Sequence, residues 1–252
     1  TFKRYPNATG LPYGNVISRI TDAAPGLLWI GTDAGLFQVN IRTQVFTHVP
    51  EAGKHSIKDI LATDKNIVWL GTPHGLVKYH SGKKEANEYS TRNGLPINQI
   101  ESLLEDMEGN IWVATTKGLS KLDPQTEKFR NYDTNDGLQS NIFNARSAFH
   151  GKDGKLYFGG INGFNSFYPS YLKDNKHPPA VMITSISKMG KEMDFDKPVD
   201  EVRALDLSYE DYLIKIEFAA LDYTIPLKNQ YAYKLEPLDK NWVNAGNTRS
   251  VT

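Results

Sequence analysis

The sequence contains no cysteine. That suits an oxidising compartment without disulfides and a reducing one equally, so it assigns neither. No charge of one sign prevails either: 29 basic residues stand against 29 acidic ones. No global field therefore draws the chain to nucleic acid or to an anionic membrane. Single-sign blocks such as Lys83-Lys84 are short and belong on solvated loops. No apolar run approaches the roughly 20 residues that span a bilayer, and Thr1-Phe2-Lys3-Arg4-Tyr5 does not form a signal peptide. A Gly-rich phosphate-cradling loop and a nucleophile elbow are missing as well. The six histidines, at 48, 55, 74, 80, 150 and 177, make no His-x-x-x-His pair or other metal-ligand spacing. Neither a cofactor nor a metal is expected.

Aromatic residues, by contrast, are plentiful and recur in register. Trp29-Ile30-Gly31-Thr32-Asp33-Ala34-Gly35-Leu36 returns as Trp69-Leu70-Gly71-Thr72-Pro73-His74-Gly75-Leu76, then as Trp112-Val113-Ala114-Thr115-Thr116-Lys117-Gly118-Leu119. A worn copy follows at Tyr157-Phe158-Gly159-Gly160-Ile161-Asn162-Gly163-Phe164, the leading aromatics falling 40, 43 and 45 residues apart. Repeats of this length, made of several short strands, are the mark of a β-propeller.

Each repeat reads as four strands. In the first, Val16–Ile20 is an inner strand, Asp22–Gly26 turns the chain, Leu27–Gly31 and Leu36–Asn40 run out and back, and Val45–His48 is an outer strand. Later inner strands are expected at Ile57–Leu61, Ile100–Leu104 and Phe143–Arg146, and outer strands end in Tyr89 and Tyr132. The tryptophans are expected to bury their rings between neighbouring blades, with small residues beside them letting the sheets approach. The fourth unit lacks an outer strand after Phe167-Tyr168-Pro169, whereas Phe2–Tyr5 looks like an outer strand with no blade before it.

Composition changes near Pro169. The polar, proline-terminated stretch Tyr171–Pro179 marks a domain boundary, giving blades over 1–172 and a second domain over 173–252. There Val181–Ile186, Arg203–Leu207, Tyr212–Phe218 and Tyr231–Leu235 alternate as strands, with a hairpin around Gly190-Lys191. The expected fold class is all-β: propeller blades, four repeats of a larger propeller, followed by an immunoglobulin-like sandwich cut short at its C-terminus.

The repeated Trp-x-Gly-Thr-x-x-Gly-Leu with Gly-Leu-Pro loops (Gly10-Leu11-Pro12, Gly94-Leu95-Pro96) resembles the two-component regulator propeller repeat. The second domain resembles the three-tyrosine module, its pattern falling on Tyr223, Tyr231 and Tyr233 and then on Asp239-Lys240-Asn241-Trp242. The conjunction, in that order, implies the periplasmic sensor region of a membrane-bound, often hybrid, histidine kinase. Such sensors commonly detect oligosaccharides and switch on polysaccharide-utilisation genes. The resemblance further implies a fragment lacking upstream blades, the last sandwich strands, the membrane helix and the kinase. It implies a homodimer in the full receptor, tethered to the membrane outside this region.

A propeller binds ligands at the mouth of its channel, through outer-to-inner loops and second-to-third-strand turns. The first group offers Asn15, His55, Asn98 and Asn141; the turns add Asp33, His74, Lys117 and Asn162. Arg19 and Arg146, on or beside inner strands, are long donors for hydroxyl or carboxylate groups. Amides, a few charges and nearby aromatics suit a polyhydroxylated ligand. Two other classes compete with an oligosaccharide sensor. A protein-docking scaffold would use the same face without a small ligand. A polysaccharide-degrading enzyme would use carboxylates among Glu101, Glu105, Asp106 and Glu108. Against the enzyme, Asp22, Asp64, Asp106 and Asp153 recur at equivalent turns, whereas catalytic groups are singular.

Overall fold

The computed structural model describes residues 16–64, 66–172, 179–221 and 229–252. The chain divides into two compact units, Thr1–Lys173 and Asp174–Thr252. The first holds three four-stranded antiparallel sheets and one three-stranded sheet, each in simple meander order. They are β1 (Ile17–Ala24) to β4 (Val45–His48), with β2 (Leu27–Thr32) and β3 (Gly35–Asn40) between. Next come β5 (Asp59–Asp64), β6 (Ile67–Thr72), β7 (Gly75–His80) and β8 (Glu85–Tyr89). The third is β9 (Ile100–Glu105), β10 (Ile111–Thr115), β11 (Gly118–Asp123) and β12 (Lys128–Tyr132). The last is β13 (Phe143–His150), β14 (Leu156–Gly160) and β15 (Gly163–Phe167). Inner strands β1, β5, β9 and β13 lie side by side in that order, the arrangement of propeller blades. Among the described residues the fourth sheet has no outer strand. The expected outer strand at Phe2–Tyr5, the first Gly-Leu-Pro loop and Tyr13 lie outside the described residues.

Aromatic and aliphatic side chains weld each blade to the next. Trp29 is buried edge-on against Tyr79 of the following blade, ring centroids 6.2 Å apart. Trp69 joins Ile100, Leu103 and Leu122 in a second interblade core. Trp112 packs 4.9 Å from Phe167. The small residue two places after each tryptophan is required by this approach: a Cβ on Gly31 would stand 2.7 Å from Ile57 Cγ2, and one on Gly71 2.8 Å from Ile100 Cγ2. In the third blade Ala114 fills the equivalent place and is itself fully buried.

The turns between second and third strands are built alike. Thr32, Thr72 and Thr115 each donate a hydroxyl to the carbonyl of the glycine three residues on, at 2.9, 2.8 and 2.7 Å. Each hydroxyl also accepts the amide of the residue two places on, in Ala34, His74 and Lys117. The worn fourth copy has Gly160 where threonine stood, and a borrowed side chain does the work. Gln139 Oε1 accepts the Asn162 amide at 2.8 Å, and a Cβ on Gly160 would collide with the Gln139 amide nitrogen.

Several strand boundaries depart from the sequence expectation; β13, for one, runs past Arg146 to His150. β1 runs on to Ala24, so the first turn is only Pro25-Gly26, with Gly26 at φ +81°. Asp22 consequently pairs with Leu28 inside the ladder and is no turn residue. β5 begins at Asp59 and reaches Asp64.

The second unit has a four-stranded sheet, β17-β16-β18-β21, and a two-stranded one, β19-β20. Their strands are β16 (Val181–Lys188), β17 (Lys191–Glu192), β18 (Ile214–Ala220), β19 (Tyr231–Tyr233), β20 (Val243–Gly246) and β21 (Ser250–Val251). Tyr231 bridges the sheets: its ring lies 5.2 Å from Phe218, and its hydroxyl accepts the Ala220 amide. Arg203–Leu207 is not a strand. Both flanks of β16 are already taken by β17 and β18, and within the segment only Leu205 is half-buried while Leu207 is 48% exposed. Leu205 and Leu207 line an apolar cleft of about 800 Å³ with Ile183, Ile216 and Phe218. Tyr223 lies outside the described residues.

Gly118 and Gly163 offer a controlled comparison, at φ +105° and +106°. A Cβ on Gly118 would run into the Tyr132 carbonyl oxygen; on Gly163 it meets nothing within 4 Å among the described residues. Gly163→Ala should cost about 1–2 kcal/mol from backbone strain alone. Gly118→Ala should cost at least about 2 kcal/mol more, from overpacking against backbone. Urea unfolding followed by tryptophan fluorescence measures both; equal losses would contradict this account of the turn.

Candidate functional site

The outer-to-inner loops and the second-to-third-strand turns emerge at one end of the blades, as the meander order requires. Asp33, His74, Lys117 and Asn162 therefore share a face with His55, Asn98 and Asn141. All four turn residues are exposed. Asp33 is engaged: its carboxylate accepts the Val16 amide at 3.1 Å and its own amide donates to the Val16 carbonyl. The His55 and His74 rings lie 4.7 Å apart, tilted at 49°, and His55 Nε2 lies 3.9 Å from Glu88 Oε1. Asn162 is bound through both amides to Gln139.

Asn98 and Asn141 have a local task. Each carboxamide oxygen accepts the amide seven residues earlier, from Thr91 at 2.8 Å and Thr134 at 3.0 Å. Each closes a loop that opens with a capping box, Ser90 with Asn93 and Asp133 with Asp136. They hold the shape of the face. Asn15 lies outside the described residues.

The acidic stretch after β9 is likewise occupied. Asp106, 5% exposed, accepts from the Trp112 indole at 2.8 Å and from the amides of Glu108 and Asn110. Glu108 reaches toward Lys121, and Glu101 accepts from Gln99. In the fourth repeat Asp153 accepts the Tyr168 hydroxyl and the Lys155 amide, which together hold its carboxyl below the usual range. These carboxylates fasten turns. Among the described residues no group of three or more histidine or acidic side chains is arranged to hold a metal, and no helix is long and apolar enough to cross a membrane.

Arg19 and Arg146, which the sequence offered, come together near the starts of the inner strands with a residue it did not offer, Asp59. Asp59 is buried, with 4% of its side chain exposed, and Arg19 Nε lies 3.4 Å from its Oδ1. Asp59 also accepts the Leu103 amide of β9 at 2.9 Å and the Ile60 amide at 3.0 Å. Arg146 of β13 donates from Nη1 to the Ser18 carbonyl of β1 at 2.7 Å. Arg19, Asp59 and Ser102 each pair with the small residue of their repeat, Gly31, Gly71 and Ala114. That pairing was the available signal, and only a committed register exposes it. Burial pushes the Asp59 carboxyl above its ordinary value of 3.8; the Leu103 amide, Arg19, the Ile60 amide and Arg146 offset this only in part.

Residues 94–117 match the family described as two component regulator propeller. Histidine kinase P4 of Formosa agariphila is 29% identical over 165 residues, 63% of this chain and 12% of that protein. The extracellular domain of the hybrid two component system BT3049 from B. thetaiotaomicron superposes with a TM-score of 0.75 at 25% identity, over 93% of this chain and 33% of that one. The extracellular domain of the one component system BT4673 from the same organism gives 0.51 at 18% identity, over 93% of this chain and 44% of that one, a likeness of fold alone. This chain thus spans a small part of the kinase and a third of the BT3049 domain. It resembles the extracellular sensor regions of two-component systems, with propeller repeats as the shared element.

Asp59 fixes the sign of a pH effect. Its carboxyl is raised in the folded chain, so its contribution to stability is complete below about 3.8 and is lost as pH rises through the higher folded value. Asp59→Asn keeps one acceptor oxygen and removes the charge. Urea unfolding between pH 3 and 7 should show the wild type losing stability relative to Asp59→Asn as pH rises. A parallel pair of curves would contradict the burial penalty.

Proposed function

We propose that this chain is a ligand-sensing part of the periplasmic region of a membrane-bound hybrid sensor histidine kinase, and that its ligand is an oligosaccharide whose detection controls polysaccharide-utilisation genes. The observation that carries the reading is the likeness to the BT3049 extracellular domain over 93% of the chain. A propeller face bearing imidazoles, a lysine, an aspartate and two arginines supports a polyhydroxylated ligand, which needs several directed polar partners rather than an apolar pocket. The second unit is read as the three-tyrosine module, with Tyr231 and Tyr233 in its pattern, and as the element that passes the signal toward the membrane. The receptor is read as a homodimer. No catalytic residue, metal or cofactor is assigned to this region, and kinase chemistry belongs to other parts of the protein.

Thermal unfolding across a panel of oligosaccharides tests the reading. A ligand at a hundredfold excess over Kd stabilises by about 2.7 kcal/mol, which for a chain of this size raises Tm by roughly 5 °C or more. One sugar class is expected to do so. No shift from any sugar, with a periplasmic protein retained in a pull-down, would favour a docking scaffold instead.

A further inference from the structure

The arginines at the mouth of the inner strands are placed by irregular backbone. The β1–β2 register shifts between Ile17 and Arg19, and that of β13–β14 between Phe143 and Ala148. Within the second interruption Arg146 has φ +56°, a conformation that costs a non-glycine residue of order 1 kcal/mol. Bulges re-aim side chains: Arg19 Nε lies 3.4 Å from Asp59 Oδ1, and Arg146 Nη1 donates to the carbonyl of Ser18, the residue just before Arg19. A guanidinium has five N–H donors; among the described residues Arg19 meets Asp59 and Arg146 meets Ser18, one contact each. Both arginines are substantially exposed, Arg19 to 46% of its side chain. Arg19 pairs with Gly31, just before the turn of Asp33, and Arg146 follows Phe143, which pairs with Gly160 just before the turn of Asn162.

Resting on the oligosaccharide reading above, we infer that Arg19 and Arg146 receive an anionic group of that sugar, a carboxylate or a sulfate, with Asp59 as the positioning residue that holds Arg19. A planar fork matches either oxyanion in two parallel bonds, which are shorter and stronger than bonds to neutral hydroxyls. The arrangement therefore selects acidic over neutral sugars of the same size.

Isothermal titration of the 252-residue chain with three oligosaccharides of matched length tests this: a neutral galacto-oligosaccharide, an oligogalacturonate and a sulfated galacto-oligosaccharide. One acidic sugar is expected to bind, with its neutral counterpart roughly tenfold weaker or more, and the preferred arm separates carboxylate from sulfate. Arg146→Ala and Arg19→Ala should each lower that affinity by roughly tenfold, and Arg146→Lys, which keeps the charge without the fork, by less. Thermal unfolding establishes that each variant is folded. Should Arg146→Ala fail to fold, Arg146→Gln and the salt dependence of wild-type binding replace it, an anion contact weakening as salt rises. Binding of the neutral sugar as tightly as the acidic ones, or arginine variants that bind normally, overturns the inference and leaves the sugar-sensing reading standing. Absence of binding by all three sugars overturns both.

Discussion

The interface between consecutive blades is what the first unit depends on. An indole ring removes roughly 200 Å² from water, about 5 kcal/mol at 25 cal/mol per Å², and it can do so only if the next sheet comes close. Closeness is set by the residue two places on. At Gly31 and Gly71, Ile57 from the loop just before β5 and Ile100 of β9 occupy the space a Cβ would need. Aromatic and glycine are therefore one device, and the 40-residue rhythm is the spacing at which that device must recur.

A fixed interface also fixes where loops go. With the sheets held, the threonine hydroxyl closes the turn and the following glycine passes beneath the outer strand, so Asp33, His74 and Lys117 emerge at one end. The fourth repeat shows that the turn's geometry is retained while its chemistry changes. Threonine is gone, its acceptor role falls to Gln139, and the vacated Cβ is the room that Gln139 fills. Among the described residues nothing stands within 4 Å of where a Gly163 Cβ would lie, so that position is not constrained as Gly118 is.

Periodicity made the blades legible, because every copy repeats the same aromatic, small residue and glycine. It made strand ends less legible: Asp22 resembles a turn residue by type but lies in a ladder that continues to Ala24. In the second unit the alternation of Arg203–Leu207 suggested a strand with one buried face, yet Leu207 stays largely exposed and the segment pairs with none of the described strands. The candidate face was legible as loops, yet Asn98 and Asn141 are consumed by their own loops, and residue type alone could not separate a clamp from a contact. Asp59 was overlooked for the opposite reason. It stands in an inner strand that was expected to be structural, and its importance comes from two arginines about 40 and 87 residues away in sequence, which only the register of three blades brings to it.

The same cluster decides how binding at this face would be felt. Asp59 ties β5 to the Leu103 amide of β9 and to Arg19 of β1, and Arg146 ties β13 back to β1. A group bound by the remaining donors of the arginines would touch side chains whose other bonds already join the inner strands. A ligand shifts a conformational equilibrium only by the difference in its affinity for two arrangements. A ligand held by side chains that also hold the sheets in register would differ in affinity whenever that register changed, whereas one held by an exposed turn such as that of Lys117 would not.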